Sequence, residues 1–229
     1  IDSYTWNLIP IDEDHCPRDI ELEKVIQKYK DQTDSKYCRV VTRFADRYTH
    51  PARNQETLLG KLLADAFKDV LGVDIMFLGS GSIRDEELGP IVQYRDLLQV
   101  FPYNDEIYRI CVTGEQLRRM VKRILRNEGD HAEYYQFSRG FRIEFNQKEQ
   151  ELISLSFNGY EVRDNDQYKL GLQSFHLKNI QDFLDVSLEE VTAIKRPKII
   201  STKSTDVLEE YFSQYELIRV SNEQRLILR

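Results

Sequence analysis

The apolar positions of this chain follow two rhythms. In "NQETLLGKLLADAFKDVLG" (54–72), Leu58, Leu62, Leu63, Ala66, Phe67 and Val70 share one side of a helix, and Gly72 stands where a left-handed cap closes it. Residues 17–37 repeat the pattern with Ile20, Val25, Ile26 and Tyr29, and Pro17 and Asp19 suit a helix start. The same spacing predicts helices over 115–129 and 204–216, a helical turn over 94–102, and Gly114 as the turn into the first of these helices. Period-two alternation or short apolar runs predict strands at 38–44, 73–78, 106–113, 140–146, 152–159, 167–175 and 225–229. Residues 1–14 read as an edge strand or as a tail left from an upstream domain. Helix and strand blocks mix without strict alternation, which favours an α+β layered fold over a doubly wound one.

Composition narrows the function classes. With 229 residues, 41% of them hydrophobic, the chain builds a sizeable core. A formal charge of -7 argues against a broad nucleic-acid-binding surface but leaves room for a small anion held by one or two arginines. Cys16, Cys38 and Cys111 are scattered and odd in number, and His15, His50, His131 and His176 stand far apart. Neither a disulfide framework nor a metal-ligand cluster follows from such spacing. No apolar run approaches the ~20 residues of a membrane helix. Residue 1 is Ile, so the chain reads as a processed or excised piece of something longer.

The candidate chemistry lies in loops. After the apolar run Ile75–Leu78 comes Gly79-Ser80-Gly81-Ser82 and then Arg84. Gly81 permits close backbone approach, and such a loop can offer N–H groups to an anion. The stretch lacks the third glycine of G-x-G-x-x-G and the Gly-Lys-Ser/Thr end of a P-loop, and a plain tight turn is the simpler local reading. Arg84 is suited to grip a phosphate or carboxylate bidentately, or to pair with Asp85, Glu86 or Glu87; Arg53 reads locally as a solvated charge. Tyr103 and Phe175 are loop or strand-end aromatics that serve either as stacking platforms or as satellite core. His176 reads as an acid–base group or as a structural histidine. No nucleophile elbow or Cys-His spacing supports covalent catalysis.

Six of these segments occur in a telling order: "RNQETLLGKLLADAF" (53–67), "GSGSIR" (79–84), "VFPYND" (100–105), "VTGEQLRRMV" (112–121), "FSRGFRIEF" (137–145) and "YKLGLQSF" (168–175). Over residues 38–185 the chain resembles the C-terminal, substrate-binding domain of the 5'-nucleotidase family, which includes UDP-sugar hydrolases and 2',3'-cyclic-nucleotide phosphodiesterases. The resemblance implies a four-layer α/β/β/α sandwich over 31–229, with 1–30 as the remnant of an interdomain connection. It implies a small nucleotide or nucleoside as ligand, with Tyr103 and Phe175 clamping the base, Arg53 and Arg84 holding phosphate and ribose, and Gly81 as a loop glycine. It also implies a partner in the same polypeptide, an N-terminal metallophosphoesterase domain carrying two divalent metal ions, whose motifs this chain lacks. No cofactor is expected in this chain itself, nor a nucleic-acid polymer or membrane segment.

The departures from the family pattern are local. Gly79 stands in place of an asparagine, Ser80 and Ser82 in place of glycines, and Lys61 in place of an asparagine. "HLKNIQDFL" (176–184) lacks the Gly-Gly-Asp-Gly turn, so that Asp182 is the candidate for the ribose-binding aspartate. These departures motivate an alternative, a non-catalytic binding or scaffold module. The scattered cysteines point towards a reducing, cytoplasmic compartment, although many relatives are exported or surface-bound.

Overall fold

A computed structural model describes residues 2–126 and 133–229. The end of the helix expected over 115–129, and His131, lie outside the described residues. The chain divides into two compact units, Ile1–Arg39 and Val40–Arg229.

In the first unit, α1 (Ile20–Tyr37) starts where Asp19 caps it by accepting a hydrogen bond from the Leu22 N–H (3.0 Å). Pro17 lies ahead of the helix rather than inside it. The apolar positions that predicted this helix, Ile20, Val25, Ile26 and Tyr29, are all exposed. Residues 2–10 carry no regular structure, so the edge-strand expectation is not met: among the described residues no strand pairs with them.

The second unit is built on a mixed five-stranded sheet, in spatial order β12 (Lys198–Ser201), β6 (Ile107–Thr113), β11 (Gln167–Gln173), β3 (Ile75–Gly79) and β7 (Tyr135–Phe137). Only β11 and β3 run parallel; the other neighbours are antiparallel. The strand β3 is buried at every position and feeds two cores through its pleat. Met76 and Leu78 join a core with α2 (Leu58–Leu71), α3 (Tyr94–Val100), α8 (Ser204–Ser213) and Phe44 and Val92 of a small sheet, β13 (Leu217–Ile218), β1 (Val40–Phe44) and β5 (Ile91–Gln93). Ile75 and Phe77 join the other, with α4 (Gly114–Arg126), α6 (Ile180–Leu184), α7 (Leu188–Ile194) and the sheet β10 (Tyr160–Glu161), β9 (Glu151–Phe157), β8 (Phe141–Asn146), β14 (Leu226–Leu228). A short pair, β2 (Tyr48–Thr49) with β4 (Glu87–Leu88), completes the unit. This is the α+β arrangement, helices outside packed sheets, that the sequence leads one to expect.

Local signals placed the long elements well. Thr57 caps α2 by accepting from the Gly60 N–H (3.0 Å), and Gly72 closes it at φ 61°. Two expectations change. The strand expected to run to Phe175 stops at Gln173, because the Ser174 N–H donates to the Glu106 carbonyl (2.8 Å) and the chain turns into α5 (Ser174–Lys178). Gly114 is the first residue of α4 rather than a turn before it, and a Cβ there would overlap the Arg163 carbonyl.

The sheet fixes where loops meet. Since β3 and β11 are parallel, the segments that follow them emerge at one end. The partners Ile107↔Gln173 and Tyr135↔Gly79 bring the starts of β6 and β7 to that same end, and Ser201↔Ile107 brings the close of β12 there too.

Candidate functional site

At that end lies a cleft of about 400 Å³. Its walls come from Arg53 ahead of α2, Gly81, Ser82 and Arg84 after β3, Tyr103 and Asp105 before β6, Glu133 before β7, and Phe175 and His176 on α5. Five of the six residues that the resemblance implies as ligand-binding therefore meet, Arg53, Gly81, Arg84, Tyr103 and Phe175, together with His176. Asp182 does not join them. It sits in the first turn of α6, exposed, beside Arg119, Lys122, Arg123 and Arg126, and its carbonyl accepts from the Arg123 guanidinium (3.0 and 3.1 Å). The segment that lacks glycine forms α5 and α6 (Ile180–Leu184), and α6 places Asp182 away from the cleft.

Each wall is held from beneath. The 3-10 turn Ser80–Ser82 buries both of its serines, which support the loop from within, and Ser82 also lines the cleft. Gln136 Nε2 donates to Ser80 Oγ (3.0 Å), Gln173 Nε2 donates to Ser82 Oγ (2.9 Å), and Gln173 Oε1 accepts from the Gly79 N–H (3.2 Å). His50 Nε2 donates to the Ser80 carbonyl (3.2 Å), leaving Nδ1 to accept from the Thr57 hydroxyl (2.8 Å). Burial lowers the pKa of His50 and favours this neutral form.

Tyr103 is fixed through its neighbours. Phe101 is fully buried against Phe67 (centroids 5.5 Å apart), Asn104 Oδ1 accepts from the Thr205 N–H and hydroxyl (3.2 and 2.9 Å), and the Asp105 carbonyl accepts from the Ser204 hydroxyl (2.5 Å). Lys61 is also structural: it is buried, and its ammonium donates to the Glu223 carbonyl (2.9 Å), with Glu56 3.8 Å away.

Inside the cleft two cations face two carboxylates. Arg53 and Arg84 are exposed and make no ion pair among the described residues, so the local pairing of Arg84 with Asp85, Glu86 or Glu87 does not form. The Arg84 guanidinium instead lies 5.7 Å from the Tyr103 ring centre and donates to the Gly81 carbonyl (3.4 Å). The Gly81 N–H donates to Glu133 Oε1 (3.1 Å). Burial raises the pKa of Glu133, against the hydrogen bond from Gly81 and the pull of Arg53; burial also raises Asp105, against a hydrogen bond from Gln173 and the charge of Lys178. Sequence reasoning missed both carboxylates. Asp105 was findable, two positions past Tyr103 in the same loop, whereas nothing local marks Glu133. No group of three or more His, Cys, Asp or Glu side chains among the described residues is arranged to hold a metal ion.

His176 is 2% exposed, and burial pulls its pKa to about 4. Its folded pKa lies below the ~6.5 of an unfolded histidine, so the unfolded chain takes up the proton first. This contribution to stability is complete above pH ~6.5 and is lost as the pH falls towards 4, by about 3 kcal/mol in all. The raised carboxylates Glu133, Asp105 and Glu56 act in the opposite sense over the acid range. Urea titrations of the wild type and His176→Gln at pH 7 and pH 4.5 should therefore give a stability difference that shifts towards the variant in acid; a difference independent of pH would contradict the buried neutral imidazole.

Gly79 is the counterpart of His176. A Cβ at residue 79 would overlap the imidazole ring, so Gly79→Ala should push the ring aside and destabilise the fold by about 1–3 kcal/mol, measured by urea denaturation. An unchanged midpoint would mean that the ring has room to move.

The fold and cleft define a class: an α+β domain with a small-molecule-sized cleft at its strand ends. The sequence model of the family described as "5'-nucleotidase, C-terminal domain" matches residues 33–186, and the chain belongs to that family. A 5'-nucleotidase of Vibrio parahaemolyticus is 23% identical over 172 residues, covering 74% of this chain and 29% of its own length. Protein UshA of Escherichia coli is 24% identical over 121 residues, covering 53% of this chain and 22% of its own. The crystal structure of a 5'-nucleotidase precursor from Thermus thermophilus superposes with a TM-score of 0.72 at 14% identity, covering 94% of this chain and 44% of that one. The chain thus spans between a fifth and a third of the length of these two curated relatives. No helix among the described residues is long and apolar enough to cross a membrane.

Proposed function

We propose that this chain is the substrate-specificity domain of a nucleotide phosphohydrolase, and that the cleft takes a nucleotide with its base between Tyr103 and Phe175 and its phosphate against Arg53 and Arg84. The observation that carries this reading is the meeting in one cleft of two half-exposed rings and two arginines that make no ion pair among the described residues, brought there by four separate segments of the chain. The rings supply sequence-tolerant stacking area, and the guanidinium groups supply charge-assisted donors. Asp105 and Glu133, both acceptors when ionised, are in reach of ribose hydroxyls on the same walls.

Hydrolysis, in this reading, belongs to a metal-bearing domain of the same polypeptide outside this chain. The residues of the cleft do not fit a metal pair, and no bond-breaking step is assigned to them. Their part is to bind and orient.

Calorimetric titration of the chain with adenosine, AMP, UMP, UDP-glucose and inorganic phosphate tests the reading. AMP is expected to bind more tightly than adenosine, and the Arg53→Ala/Arg84→Ala variant to lose about tenfold for AMP and little for adenosine. The advantage of AMP should shrink as salt rises, because both arginines are exposed. Failure of every nucleotide to saturate the chain would contradict the proposal and favour a module that has lost this ligand.

A further inference from the structure

We infer that His176 is a specificity-determining residue of the cleft, with Nε2–H donating a hydrogen bond to an acceptor on the edge of the bound base; this rests on the nucleotide reading given above. His176 lines the cleft next to Phe175, its ring edge-on to the phenyl ring with centroids 5.4 Å apart. A ring stacked on Phe175 would present its edge close to the imidazole. The imidazole is itself held. Nδ1 lies 2.9 Å from the hydroxyl of Tyr135, and Phe183 packs 6.0 Å from the ring.

The tautomer follows from hydrogen-bond satisfaction. Tyr135 is fully buried, and among the described residues His176 Nδ1 is the partner of its hydroxyl. If Nδ1 carried the proton, the buried tyrosine O–H would have nothing to donate to, which is costly. The arrangement that uses every donor has Tyr135 donating to Nδ1 and the imidazole proton on Nε2. No partner for Nε2 is found among the described residues. The side chain is therefore a buried polar group, locked at one nitrogen, with an unused donor on a residue that lines the cleft.

Gly79 packs against the same ring. A side chain at residue 79 would meet Nε2 first, so the backbone there leaves the nitrogen the room it occupies. The ligand class implied is a base with a ring nitrogen or carbonyl oxygen turned towards α5. Tyr135 is a positioning residue: it acts through His176 and does not line the cleft.

The test uses the 229-residue chain, its His176→Phe, His176→Gln and Tyr135→Phe variants, and the nucleotides AMP, GMP, UMP and CMP. The tightest binder should weaken about five- to tenfold in H176F, which keeps a ring but no donor, and should be largely retained in H176Q, whose amide can donate. Equal affinity in wild type and H176F would overturn the inference while leaving the nucleotide reading intact. Absence of binding by the wild type would overturn both. A long-range ¹H–¹⁵N spectrum gives a readout that a purely structural role would not move, and one that does not depend on H176F folding. It should show the Nε2–H tautomer in the wild type, mixed tautomers in Y135F, and a shift of the Nε2 resonance on nucleotide addition. A resonance unmoved at saturation would refute the contact.

Discussion

Replacing Arg225 with alanine should lower the stability of the 40–229 unit by about 3–5 kcal/mol, the usual cost of stripping one partner from a buried ion pair. The side chain is 2% exposed, and its Nη2 donates to Asp65 Oδ2 at 2.6 Å. Its Nη1 donates to the carbonyls of Phe137 (2.6 Å) and Lys61 (3.3 Å), so one guanidinium ties α2 to the end of β7 just ahead of β14. Truncation leaves a largely buried carboxylate and two carbonyls short of donors. Asp65 keeps Arg139, whose N–H donates to it at 2.7 Å and whose guanidinium lies 3.9 Å away, which places the expected value towards the lower end of the range. Urea denaturation would show a lower midpoint with unchanged slope. Replacing Asp65 and Arg225 together by apolar residues should recover part of the loss, because no unpaired charge is then buried. A single-variant loss below about 1 kcal/mol would mean that the pair contributes little.

The Tyr103→Ala/Phe175→Ala double variant should behave in the opposite manner: a large loss of nucleotide affinity with the fold intact. Stacking on an aromatic ring is worth about 1–3 kcal/mol per base by alanine substitution, so removing both rings should weaken binding at least about 30-fold. The rings are 47% and 53% exposed, and their removal opens no core cavity, so thermal stability should move by less than about 0.5 kcal/mol. Calorimetry with AMP, paired with a thermal melt, separates the two effects. Unchanged affinity would exclude the rings as the base clamp, whereas a collapsed melt would recast them as core.

Much of the fold was legible because its signals are local. The stripe from Leu62 to Phe67, the Thr57 cap and Gly72 sit within one segment, and the apolar run before Gly79 reads as a strand. The segment from His176 to Lys203 was not legible: α5, α6 and α7 are five to seven residues long, too short for a periodicity to stand out. The cleft residues could be ordered by family resemblance but not gathered by any local rule. Their meeting depends on long-range register, such as Gly79 opposite Tyr135 and Gln173 opposite Ile107. Glu133 and the Tyr135–His176 bond were invisible for the same reason, since their partners lie 52 and 41 positions away. Asp182 shows the converse error: a carboxylate at about the right distance along the chain, carried elsewhere by two short helices.

The hold of Ser204 and Thr205 on the loop that carries Tyr103 sets a limit on how this domain can be cut. The family signature ends at residue 186, yet the hydroxyls that pin Asn104 and Asp105 lie beyond it, as do Val207, Leu208 and Phe212 of one core. The stretch that the family signature matches is therefore shorter than the stretch that packs together. A fragment trimmed to the signature would keep all five gathered cleft residues while surrendering the anchor of one of them.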